Sequence, residues 1–190
     1  IPSVIVLILG FIIWKDTHKL DQYRPIDSSV QPITIQVVAL RWKWLFIYPK
    51  YGIATVNFIQ FPEKTPINFE LTADEAPMNS LWIPALGGQT YAMTGMSTKL
   101  HLMADNLGDF NGSAAELSGS GFSGMKFIAR ASTQSDFESW VQEVKQSSKV
   151  LDSAEYERLI LPSENNSALY YSSTDGDLYN KIINKYINNK

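Results

Sequence analysis

The 190-residue sequence predicts a mainly β domain, a sandwich or a barrel, set between an apolar helix and a short-helical tail. Three observations predict it. Between residues 33 and 104, short hydrophobic runs alternate with period two and are punctuated by proline and glycine, the pattern of half-buried strands joined by turns. Residues 1–14, IPSVIVLILGFIIW, contain no charge at all. Beyond Ala131 the apolar spacing changes to i, i+3, i+4, i+7, the period of an amphipathic helix.

As a helix the first apolar run is roughly 21 Å long, short of a hydrocarbon thickness of roughly 30 Å. A core helix and a signal-peptide core are alternatives to a membrane span. No small-residue cleavage site comes after it, and Trp14-Lys15 makes an interfacial anchor, so residues 1–16 are expected to be the end of a transmembrane helix whose start precedes Ile1. Lys15, Lys19 and Arg24 just beyond it would by themselves place the rest of the chain on the cytoplasmic side. Residues 17–32 are polar, include two prolines and read as a linker. Strands are expected around Ile33-Ile35-Val37, along residues 42–48 (WKWLFIY), along 54–59 (ATVNFI) as one run, along 67–72 (INFELT) and along 100–104 (LHLMA). In the tail, Ser135-Asp136-Phe137-Glu138 has the capping-box form, and Phe137, Trp140, Val141 and Val144 share one helix face. A second helix is expected from Asp152 with Tyr156, Leu159 and Ile160 together, and a third from Asp177 with Leu178, Ile182, Ile183 and Tyr186. Residues 161–175 read as polar turns apart from Tyr170 and Tyr171. Helices this short must dock on something to persist.

Composition excludes several functions. Net charge is −3 from 16 basic and 19 acidic residues, with no basic stripe, so no nucleic-acid partner is expected. There is no cysteine, which removes disulfides, thiolate catalysis and thiolate metal sites. His18 and His101 are the only imidazoles and lie far apart in sequence, too few for a zinc site. Met93 and Met96 are a close pair of soft donors without a third, and read as packing. Gly119-Ser120-Gly121 is not a nucleophile elbow, and no Gly-Lys-Ser/Thr comes after the glycines to make a phosphate loop. Asp74-Glu75 and Asp105 read as ordinary turn carboxylates.

The chain is organised around residues 111–128, NGSAAELSGSGFSGMKFI. So many small residues closing into Met125-Lys126-Phe127-Ile128 read as a tight turn that delivers a strand into a core. Such loops between strands are where metal ligands come from, yet this one offers one soft donor, Met125.

The loop resembles the copper loop of subunit II of the haem-copper respiratory oxidases, Cys-x-Glu-x-Cys-Gly-x-x-His-x-x-Met. The two cysteine positions fall on Ala114 and Ser118, the histidine on Phe122, while Glu116, Gly119 and Met125 are kept. The remaining histidine, before an Ile-Pro-x-Leu-Gly run, falls on Asn79 in Asn79-Ser80-Leu81-Trp82-Ile83-Pro84-Ala85-Leu86-Gly87. Together with GFSGMKF, PITIQVVALRWKWLFIYP and GIATVNFIQFP, this is similar to the cytochrome bo-type ubiquinol oxidase branch of that superfamily. The resemblance implies a cupredoxin-like Greek-key β-sandwich over residues 33–131, on the periplasmic side of a bacterial inner membrane, without the dinuclear copper site. It implies an aromatic-rich extension over 132–190. It also implies a non-redox structural subunit that caps subunit I of a proton-pumping oxidase, in contact with the other subunits and the lipid bilayer. No catalytic residue or cofactor is expected in this chain. Haem b, haem o and copper belong to subunit I, and no cytochrome c is expected as donor.

A dinuclear copper site needs thiolates to bridge the two ions and imidazoles to cap them, and Asn79, Ala114, Ser118 and Phe122 supply neither. Phe122 is expected to fill the space of the imidazole and metal, and Asn79 to bond neighbouring backbone. Glu116, Trp42 and Trp44 are candidate subunit contacts, with packing as the alternative for both tryptophans and a solvated loop carboxylate as that for Glu116. The rival from another class is a membrane-anchored periplasmic cupredoxin-like binding module unrelated to an oxidase. A copper-bearing cytochrome c oxidase subunit fails on the missing cysteines.

Overall fold

The first apolar run forms α1 (Pro2–Lys19), which continues past the boundary expected at residue 16. A computed structural model of the chain describes residues 2–19 and 23–187. Residue 1, residues 20–22 at the start of the expected linker, and residues 188–190 lie outside the described residues. The large apolar side chains of α1 from Val4 to Trp14 are exposed. A helix that is hydrophobic all round belongs in a larger apolar surrounding rather than in water. Among the described residues no helix is long and apolar enough to cross a membrane.

Eleven strands are assigned among the described residues, ten of them in the sandwich proper. They are β1 (Ile33–Leu40), β2 (Lys43–Tyr48), β3 (Ile53–Val56), β4 (Phe58–Pro62), β5 (Ile67–Ala73), β6 (Asn79–Trp82), β7 (Gln89–Ala92), β8 (Thr98–Leu102), β9 (Gly108–Ala114), β10 (Lys126–Ser132) and, in the tail, β11 (Leu169–Tyr171). One sheet has the order β11-β3-β2-β1-β5-β8 and the other β4-β10-β9-β6-β7. Two pairs, β1 with β5 and β4 with β10, are parallel; parallel neighbours need long crossover connections, and here the chain visits the other sheet between the two strands of each pair. Period-two alternation sets the faces. Ile33, Ile35, Val37 and Ala39 of β1 join Trp44, Phe46 and Tyr48 of β2 in the core between the sheets, against Phe127, Ala129 and Ala131 of β10.

The expected single strand over 54–59 is two strands. Asn57 has φ of 54°, a left-handed conformation that asparagine tolerates, and there the chain leaves one sheet for the other. Its side chain takes over a ladder position: the Trp44 amide donates to Asn57 Oδ1 at 2.9 Å. Trp42 likewise is not a strand residue. It sits at φ 64° in the β1–β2 turn. β6, β7 and β9 go beyond the strands expected from the alternation.

α2 (Gln134–Lys145) packs Phe137, Trp140, Val141 and Val144 onto the same core. Its cap is Thr133, whose hydroxyl accepts from the Asp136 amide at 3.1 Å, so the cap lies two residues before the Ser135 of the expected box. α3 (Ser153–Leu159) is capped by Asp152 as the sequence predicts. With α4 (Leu178–Ile187) it covers the outer face of the sheet that β11 extends. There Tyr156, Leu159, Tyr171, Leu178 and Ile182 bury Val38, Leu40, Leu45, Ile47, Ala54 and Val56. β11 arises inside the segment that reads as turns. Three residues suffice because Tyr171 is fully buried and the strand pairs with β3.

Candidate functional site

Residues 115–125 link β9 to β10 at one end of the sandwich and include a 3₁₀ turn, Phe122–Gly124. The structure brings the expected positions together. The Ala114 amide donates to the Met125 carbonyl at 3.1 Å, closing the base of the loop, and Ala114 pairs with Leu81 across β6. The Ala115 amide reaches the Ser80 carbonyl at 3.0 Å, next to Asn79. Met125 and Asn79 are buried, as are Ala114 and Ser118. Glu116 is half-buried, and Leu117 beside it is 77% exposed at the tip.

The donor set does not fit copper. Ala114 and Phe122 have no donor atom, and Met125 Sδ is packed in the core. Asn79 Nδ2 donates to the Pro77 carbonyl at 3.1 Å. Asn79 Oδ1 and Ser118 Oγ are buried with no hydrogen-bond partner, but a neutral amide and a hydroxyl are hard oxygen donors where copper wants thiolate and imidazole. Among the described residues no group of three or more His, Asp or Glu is placed to hold a metal ion.

Phe122 is half-buried against the core, but two other side chains account for the glycines. Trp42 lays its indole on the loop: Nε1 donates to the Ser118 carbonyl at 3.1 Å. A methyl group on Gly121 would lie 2.3 Å from the Trp42 ring, and one on Gly119, at φ 110°, would touch it at 3.4 Å. A methyl group on Gly124 would lie 2.8 Å from Asn165 Oδ1 of the tail. The loop is therefore filled from outside by Trp42 and Asn165. Trp44, by contrast, is fully buried and edge-on to Phe127 at 6.1 Å, in the core and out of reach of another chain.

Two charged residues that the sequence pattern passes over or misplaces tie the tail to this end. Lys43 is buried, and its ammonium donates to the carbonyls of Leu159 and Leu161 at 2.8 Å each, at the C-terminus of α3 where the helix dipole favours a cation. Burial lowers its pKa. Asp74 is no ordinary turn carboxylate. It is 1% exposed, and Tyr156 Oη and Tyr186 Oη each donate to it at 2.6 Å. Lys185 Nζ donates to it at 2.9 Å and to Glu75 at 2.8 Å. Burial, then the Asp74 charge, drives the Tyr156 hydroxyl far above the usual phenol range, and burial with the Asp74 hydrogen bond raises Tyr186. Partial burial opposes the Lys185 ammonium, but its bonds to Glu75 and Asp74 outweigh that and raise its pKa. Because a sequence pattern shows neighbours only along the chain, it does not reveal a carboxylate whose partners are over 80 residues away.

The family described as the COX Aromatic Rich Motif matches residues 145–190. The chain is 59% identical over 186 residues to the cytochrome bo(3) ubiquinol oxidase subunit 2 of Pseudomonas putida, covering 98% of this chain and 59% of that protein. It is 47% identical over 190 residues to the ubiquinol oxidase subunit 2 of Acetobacter aceti, covering 99% of this chain and 61% of that protein. It thus spans about six tenths of the length of these relatives. Among solved structures, the periplasmic domain of subunit II of cytochrome oxidase of Bradyrhizobium japonicum superimposes with a TM-score of 0.58 at 21% identity. That match covers 63% of this chain and 96% of the other, and shows the shared cupredoxin-like sandwich.

Proposed function

Because the chain belongs to the subunit II family of the cytochrome bo-type ubiquinol oxidases, we propose that it is the non-redox structural subunit of a proton-pumping ubiquinol oxidase, seated on the periplasmic face of subunit I. The whole enzyme takes electrons from ubiquinol and reduces oxygen to water. Its haem b, haem o and copper lie in subunit I, and this chain carries no catalytic residue. The observation that carries the reading is the pairing of close similarity over nearly the whole chain with a metal loop whose ligand positions are Asn79, Ala114, Ser118 and Phe122.

The chemistry of the donor explains why such a loop is serviceable. Ubiquinol dissolves in the bilayer and reaches its oxidase from there, so no soluble cytochrome c has to dock and no copper relay is needed above the membrane. What remains is a rigid end of the sandwich with Glu116 and the exposed Leu117 at its tip, a surface suited to another subunit. The all-round apolar surface of α1 supports its placement in the inner membrane, with the sandwich on the periplasmic side.

The test is affinity purification of the full-length protein from membranes in mild detergent, then a reduced-minus-oxidised haem spectrum and oxygen uptake with ubiquinol. A large haem-containing assembly that consumes oxygen is the expected result. A haem-free monomer overturns the proposal and favours a free-standing binding module.

A further inference from the structure

We propose that the C-terminal extension sets the conformation of the 115–125 loop through the β1–β2 turn, with Trp42 as the clamp in place of a metal. The inference concerns one chain only, and so stands apart from the oxidase reading. Trp42 is the side chain of its turn that fills two glycine positions of the loop, Gly119 and Gly121. Its φ of 64° is a conformation that bulky residues avoid, and one that persists only where the surrounding structure holds it.

The residues that hold it are its two neighbours in sequence, both tied to the extension side. Lys43 is fixed by the Leu159 and Leu161 carbonyls at the end of α3. Arg41 Nε donates to the Glu75 carbonyl at 2.6 Å. Glu75 is in turn held by α4, its amide donating to Tyr186 Oη at 2.9 Å and its carboxylate accepting from Lys185 at 2.8 Å. A second, direct contact runs from Asn165 onto Gly124. Two helices of the extension, α3 and α4, thus grip the turn from either side of Trp42, and Trp42 grips the loop. In a metal-bearing relative of this fold, coordination bonds would pin such a loop; here a relay of packed side chains performs that service.

Amide hydrogen exchange of the full-length protein in detergent tests it. Trp42→Ala is expected to accelerate exchange across 115–125 about tenfold while β1 and β5 keep their protection. The double variant Lys43→Met, Asp74→Asn changes nothing that touches the loop, and is expected to accelerate both the extension and the loop; it carries the test alone should Trp42→Ala fail to fold. A loop that exchanges at the wild-type rate in either folded variant, whether or not the extension loosens, overturns the proposal. Equal acceleration of loop, β1 and β5 also overturns it, since that is general loss of stability.

Discussion

Gly121 is glycine because the Trp42 ring occupies the place of its side chain. Gly121→Ala forces the ring or the loop to move, since a methyl group 2.3 Å from an indole leaves no room for adjustment by rotamer. Overpacking of this kind costs about 1–3 kcal/mol. Gly88→Ala, where nothing lies within 4 Å, is the matched control and should fall within about 0.5 kcal/mol of wild type. Thermal unfolding of the two variants decides it: equal midpoints would mean that Trp42 does not fill the loop. The loop and its glycines are legible in the sequence, because their spacing is local. What fills the loop is not, because Trp42 is 76 residues from Ser118 and its left-handed backbone leaves no mark in an apolar run. The sequence points instead to Phe122, the one aromatic side chain within the loop itself.

Elements are legible where one face is buried and the other is not. β1 and β5 alternate and are found by their period; the run around Asn57 reads as one strand because both of its halves are fully buried, which erases the period. The tail helices show in their stripes, yet the groups that anchor them do not, because the anchors are charges on other elements. Lys43→Met tests one anchor. It removes two hydrogen bonds and leaves the Leu159 and Leu161 carbonyls without their buried partner, which costs about 1–3 kcal/mol. A urea midpoint unchanged from wild type would show that the ammonium contributes nothing net. The second anchor is sensitive to alkali. Tyr156, Tyr186 and Lys185 all have folded pKa values raised above the unfolded ones, so what they contribute is fully present below about pH 10 and is lost as pH rises beyond it towards the folded values. Unfolding measured between about pH 8 and pH 11 should therefore show stability falling only at the top of that range, and Asp74→Asn should flatten the fall. A fall of the same size in Asp74→Asn would place the sensitivity elsewhere.

At the scale of the molecule, the extension is a third layer of the fold and does more than trail behind the sandwich. β11 extends one sheet, and the outer face of that sheet buries Val38, Leu40, Leu45, Ile47 and Val56 only because α3 and α4 lie over it. Fully burying side chains of this size contributes about 1.5–3 kcal/mol each, on the order of 10 kcal/mol for the five. That matches the whole stability of a typical domain, about 5–15 kcal/mol. A chain ending at Gln146, which keeps α2 and both sheets but lacks β11, should accordingly fail to fold, binding a hydrophobic dye or aggregating when expressed. Retaining α2 makes the comparison sharp, because every fully buried side chain of the core between the sheets is kept and the main loss is the outer cover. A truncated chain that unfolds cooperatively within a few degrees of the intact one would show that the sandwich stands by itself; the extension would then be a docked appendage, and its grip on the 115–125 end would have to be explained without its being part of one cooperative fold.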